Sequence, residues 1–220
     1  TCARAFYGIS EGFHFDGVLL PAVGLAPLDT TRLTGMDHSH AEGAMARFDN
    51  GDSCIYCMDD LPRYHYAVAP EISIDELDPE EIPDNISFLP PSNHLRIWLN
   101  EDPFGRVAEI HQVKQMCKGQ LSIHGSVYAP SDRLGIQEAC LAMMTHPEKC
   151  KEILLRYAHA TCIHVGEQID AGANAINFSA PWTGQNFISR EMFEEIIAPA
   201  HRVVAGYCRE RNTSCYCHIC

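Results

Sequence analysis

From Phe104 to Cys220 the chain alternates helix-like and strand-like stretches with no hairpin signal between the strands, and nothing else limits its fold so strongly. Val107, Ile110, Val113 and Met116 recur at the spacing of one helical face. Gln120 to Val127 reads as a strand, and Pro130 closes the loop after it. Ile136, Ala139, Cys140 and Met143 predict another helix. Thr145-His146-Pro147-Glu148 has the form of a capping box with proline in the first turn. The long helix it opens places Leu154, Ala158, Thr161, Val165 and Ile169 on one face, and Gly172 supplies the stop. Ala173 to Ser179 is the next strand. Ser189 then caps a helix with Met192, Phe193, Ile196 and Ile197 as its buried stripe. Pro199 should break or kink that helix, the remainder running to about Arg211. Thr213 to Cys220 follows as a buried strand.

The start of the chain speaks the same grammar. Cys2 to Phe13 has helical spacing and leads into Phe15 to Pro21, an apolar run suited to a strand buried on both faces. Parallel strands joined by right-handed crossovers follow, which is an α/β fold. Four or five such units cannot close an eight-stranded barrel, so the expectation is an open sheet or the first two-thirds of a barrel. Residues 28–99 break the pattern with many prolines, His38, His40, Cys54 and Cys57, and an acidic run from Ile74 to Asp84. This stretch is expected to be an irregular insertion covering one end of the sheet, with a short hairpin near Ala44 to Met58.

Composition narrows the function classes. A net charge of -13 without a basic run argues against nucleic acid and anionic membranes, which require clustered cations. No apolar stretch approaches the roughly 20 residues that span a bilayer, and no signal-peptide pattern opens the chain. It begins at Thr1, mid-pattern, so its beginning is expected to be missing or processed. Eleven cysteines, an odd number, in a chain of 220 residues fit reduced thiols in a cytoplasm better than a disulfide framework.

The last strand carries the chemistry. Side chains alternate along a strand, so Tyr216, His218 and Cys220 project to one face and Cys215 and Cys217 to the other. An imidazole and a thiol two residues apart on one face form a two-ligand arm for zinc. The plainer alternative is a core strand with a satisfied histidine and an inert cysteine.

The order of these motifs resembles the uroporphyrinogen decarboxylase superfamily, a (β/α)8 TIM-type barrel group. The residues that carry the resemblance include Phe15 to Pro21, Leu77-Asp78-Pro79, Gly125 to Pro130 and His146-Pro147-Glu148. Asp170 to Asn174, Pro181-Trp182, Ile188-Ser189, Phe193-Glu194-Glu195 and Pro199 complete it. The resemblance implies a single barrel domain over residues 1–220, incomplete, with its C-terminal third absent. His218-Ile219-Cys220 is similar to the His-x-Cys motif of the zinc-dependent methylcobamide:coenzyme M methyltransferases. By that likeness His218 and Cys220 are metal ligands for Zn2+, with a further cysteine beyond residue 220. It implies methyl transfer between a corrinoid (methylcobamide) on a partner protein and a thiol or similar acceptor.

Two rivals accompany that reading. One is decarboxylation of a porphyrinogen, although nothing before Arg47 resembles the arginine-rich substrate segment of those enzymes. The other is a non-catalytic corrinoid- or partner-binding barrel. His124, Trp182 and Tyr216 are candidate pocket residues, His124 expected near a strand end. A structural role for His124 and a core position for Trp182 are the alternatives. Cys54 and Cys57 have redox or zinc spacing, but one Cys-x-x-Cys lacks the second half of a structural site. Asp37, His38 and His40 form a suggestive cluster.

Overall fold

In a computed structural model the description covers residues 2–20, 33–49, 51–58, 63–65, 74, 78–79, 106–134 and 136–219. Four strands form a parallel sheet: β1 (Gly17–Leu19), β6 (Ser122–Tyr128), β7 (Ala175–Ser179) and β8 (Ser214–His218), in the spatial order β1-β6-β7-β8. Between β1 and β6 in sequence lies a second, antiparallel sheet: β2 (Leu33–Asp37), β3 (Gly43–Phe48), β4 (Ser53–Cys57) and β5 (Arg63–His65). Helix α1 (Cys2–Gly12) packs against α2 (Arg106–Cys117), which precedes β6. Helices α3 (Ile136–Thr145) and α4 (Pro147–Ala171) connect β6 to β7. A helical stretch of α5 (Arg190–Met192), a π turn (Phe193–Ile197) and α6 (Ala198–Glu210) connects β7 to β8.

One face of the parallel sheet is apolar and covered by helices. Val18, Leu20, Ile123, Val127, Ile176 and Phe178 point that way and join one buried cluster with Leu154, Val165, Ile197 and Val204. Gly125 is the close-approach point. A Cβ there would collide with the amide of Gln168 on α4, whose Oε1 accepts from the Ser126 N–H (2.8 Å) while its Nε2 donates to the Ser126 carbonyl (3.1 Å). The backbone groups of Ser122 and His124 face β1, bonding Asp16 and Leu20. Ser126 is the next residue with that orientation, and the Gln168 amide satisfies it in place of a strand.

The helix signals resolve one by one. Gly172 is the left-handed stop of α4, its N–H reaching the Gln168 and Ile169 carbonyls. Ser189 caps α5, accepting from the Met192 N–H at 3.1 Å. The expected capping box at Thr145 does not form. The Thr145 hydroxyl donates to the Leu141 carbonyl (2.9 Å), so it serves the end of α3, and His146 begins α4 without a side-chain cap bond. Pro199 does not end the helix. It sits in the first turn of α6, directly after the π turn, whose wider winding accommodates a residue that has no N–H to donate.

Two strand expectations are corrected. The run from Phe15 is not buried on both faces: Phe15 and Leu19 are exposed, and Val18 and Leu20 are covered, β1 pairing with β6 alone among the described residues. The terminal strand is likewise exposed at all positions but Cys215, as it borders β7 on one side only among the described residues. Within residues 28–99 the hairpin near 44–58 is β3 and β4, and it belongs to a four-stranded sheet. The acidic run is described only at Ile74, Asp78 and Pro79; Ile74 is buried, its N–H bonded to Glu138 of α3 at 2.6 Å. Cys54 is buried and Cys57 is partly exposed, three positions apart on one strand and therefore on opposite faces. Asp37 bonds the N–H (2.9 Å) and hydroxyl (2.7 Å) of Ser39, and these bonds hold its carboxyl below the usual range. That is turn chemistry.

Candidate functional site

The other face of the parallel sheet is polar, and register fixes who shares it. His124 stands opposite Ala175 and Ser214; Ser126 stands opposite Asn177 and Tyr216; Tyr128 stands opposite Ser179 and His218. These rungs climb toward the C-terminal ends of the strands, where barrel enzymes assemble their sites. The ends are fastened in sequence. The Ala129 N–H bonds the Ser179 carbonyl (2.8 Å), and the Ala180 N–H bonds the His218 carbonyl (2.9 Å). His218 is thereby held by its backbone at the rim, with its side chain on the exposed polar face.

Two candidate pocket residues are brought together. His124 Nδ1 lies 2.9 Å from the Tyr216 hydroxyl and Nε2 lies 3.0 Å from Ser122 Oγ. The rings meet edge-on with centroids 5.5 Å apart. His124 belongs to β6 and Tyr216 to β8, so their side chains pass over β7, where register places the small Ala175. Burial pushes the Tyr216 phenol up, so it keeps its proton at neutral pH. His124 is the third residue of β6 rather than a strand-end residue, a floor position rather than a rim one.

Trp182 is elsewhere. It is 7% exposed and belongs to the hydrophobic cluster, in the turn where Thr183 bonds back to the Ala180 carbonyl through its N–H (3.2 Å) and hydroxyl (2.9 Å). Cys220 lies outside the described residues. Among the described residues no group of three or more His, Cys, Asp or Glu could hold a metal ion. The arm proper is an imidazole at the rim followed two positions later by a thiol, a donor chemistry that suits zinc and needs further ligands.

The remaining cysteines of β8 face the helices. Cys215 shares a hydrogen bond with Cys208 of α6, which lowers the Cys215 thiol and raises that of Cys208. Cys217 is exposed at its surface, but partial desolvation of its sulfur, with Cys215 and Asp132 nearby, pushes it up to about 11. By alternation Cys215 and Cys217 both project away from the polar face.

Sequence reasoning missed Ser122, Ser126 and Asn177. The signal was available: Ser122, His124, Ser126 and Tyr128 are polar at every second position of a central strand, as are Asn177 and Ser179 on the next. A parallel sheet covered by helices on both faces would not carry that alternation.

A family model described as uroporphyrinogen decarboxylase (URO-D) matches residues 113–220. The match covers just under half of the chain, 108 of its 220 residues. The matched segment contains β6, β7 and β8, and so every rung of the polar face described above. Among solved structures, a methyltransferase from Methanosarcina mazei has the same fold over 99% of this chain, with a TM-score of 0.63 and 14% sequence identity. The alignment covers 55% of that protein, so this chain spans about half its length. None of the curated proteins matches the chain. Among the described residues no helix is long and apolar enough to cross a membrane.

Proposed function

We propose that this chain is the metal-bearing part of a methyltransferase of corrinoid-linked one-carbon metabolism, moving a methyl group between a corrinoid protein and a thiol. The observation that carries this reading is the position of His218. It is the last residue of β8, exposed, on the polar face and at the C-terminal edge of a parallel sheet. Cys220 follows two positions later. His218 and Cys220 would hold Zn2+ together with donors from elsewhere. Zinc, when bound, would keep the accepting thiol in its thiolate form at neutral pH.

The chain's own residues supply the setting. The bond from Ala180 to the His218 carbonyl fixes where β8 meets the rim. The Ser122–His124–Tyr216 network gives the acceptor a fixed polar floor. The fold shared with a methyltransferase supports the reading, as does the URO-D match.

The test is zinc content and methyl transfer measured together. His218→Ala and Cys220→Ala should each lose zinc and transfer of methyl from a methylated corrinoid protein. In the cobalt-substituted protein, Cys220→Ala should lose the sulfur-to-metal absorption. Full zinc retention and activity in both variants would sink the proposal. Porphyrinogen decarboxylation that survives chelation would select the decarboxylase alternative, and corrinoid-protein binding without zinc would select the scaffold.

A further inference from the structure

Helices α4 and α6 follow parallel neighbouring strands and so run side by side in the same direction. Arg211, just past α6, fastens their C-terminal ends by bonding Asp170 (2.5 Å) and the Tyr207 hydroxyl (3.0 Å). On the side away from the sheet the two helices leave a groove of about 540 Å3. Cys162, Ile163, Val203 and Gly206 make its apolar middle, and Ile163 is 40% exposed. The charges are sorted along its length. Arg202 lines one end and Glu210 the other, eight residues apart on α6 and so about 12 Å along the axis. Both are exposed, and neither has a salt-bridge partner among the described residues. Gly206 lies midway between them. A Cβ built there meets nothing within 4 Å among the described residues, so no neighbour in this chain demands a glycine. Glycine weakens a helix interior relative to alanine. Helix α6 is thus thinnest, without an internal cause, at the centre of a stripe that runs from positive to negative.

We propose that this groove is a self-association surface, on which a second copy of the chain packs about a two-fold axis, α6 crossing the partner's α6 in antiparallel at Gly206. The charge order selects that occupant. A two-fold axis at Gly206 sets each position before it against the position equally far after it on the other copy. Arg202 of each copy then faces the partner's Glu210, and both charged ends are neutralised at once. A parallel crossing would set arginine against arginine and glutamate against glutamate. Without a Cβ at Gly206 the two backbones can approach closely, and Ile163 of the flanking α4 shields the crossing from water. A chain of net charge -13 repels its own copies in general, so the pairing depends on these local contacts and weakens with salt.

Sedimentation velocity over a range of protein concentrations reads the association. Wild type should pass from monomer to dimer and no further, and high salt should shift it back toward monomer. Arg202→Glu and Glu210→Arg each set like charges face to face, and each should weaken dimerisation at least about tenfold. Mixed together, the two variants should recover a dimer, because every facing pair then carries opposite charges. Only a two-fold contact between these two positions predicts that recovery. Gly206→Leu fills the crossing and should leave a monomer; should it fail to fold, the exposed charge variants still decide the matter. His218→Ala should dimerise as the wild type does, which keeps this surface distinct from the metal arm. A wild type that stays monomeric at every concentration, or assembles beyond the dimer, overturns the proposal. So do single charge variants that dimerise like the wild type, or a mixture that recovers nothing.

Discussion

His201 turns the packing of α6 on the sheet into a measurable pH dependence. Its ring meets Phe178 of β7 edge-on at 4.6 Å and Phe193 of the π turn at 5.8 Å. Its Nε2 is buried without a hydrogen-bond partner among the described residues. Burial lowers the imidazole from 6.5 to about 4, because a charge between two phenyl rings would be desolvated. The folded state therefore keeps His201 neutral where the unfolded chain takes up a proton. Stability from this source is complete above pH 6.5 and falls as pH drops through the window, until the folded imidazole also protonates near pH 4. At about 1.4 kcal/mol per tenfold in binding, the window is worth roughly 3 kcal/mol. That is a large part of the ~5–15 kcal/mol that holds a domain together. Urea denaturation at intervals from pH 7.5 to 4 measures it, comparing wild type with His201→Phe. Phenylalanine keeps a ring between Phe178 and Phe193 but cannot titrate. The wild type should lose about 3 kcal/mol more than the variant across the window. Parallel curves for the two proteins would refute the argument, as would an NMR titration of His201 near its ordinary value.

Two further outcomes follow from the helix contacts. Gln168→Leu strips both hydrogen bonds from the Ser126 backbone and should cost about 2–4 kcal/mol in chemical denaturation, since two buried polar groups lose their partners; a loss below about 1 kcal/mol would show that water replaces the amide. Ser189→Ala removes the cap on the Met192 N–H and should cost about 1 kcal/mol, read as faster amide exchange at Met192 with exchange at Val204 unchanged.

The helices and the later strands were legible because their periods are long and clean. Ile110 and Val113 fall on the buried side of α2, and Gly172 and Ser189 punctuate where their chemistry says they should. The antiparallel sheet was harder. Leu33–Asp37 alternates only between half-buried and exposed positions, so its periodicity has little apolar contrast. The Asn50-Gly51 pair was the better clue: Gly51 takes a left-handed φ of 83° between β3 and β4. The Thr145 capping box misled because a hydroxyl at the junction of two helices can serve the one that ends or the one that begins, and Thr145 serves the former. Of the site, the shared face of Tyr216 and His218 follows from alternation alone. The pairing of His124 with Tyr216 does not, since it depends on strand order and register that local pattern does not encode.

Ala175 gives β7 a property that no bond records. Two strands that never touch each other are linked above it, because its side chain ends at a methyl group. The volume missing at that position is as much a part of the site as the imidazole and phenol that use it. A valine or leucine there would remove neither partner, yet it would stand between them and divide the polar floor in two.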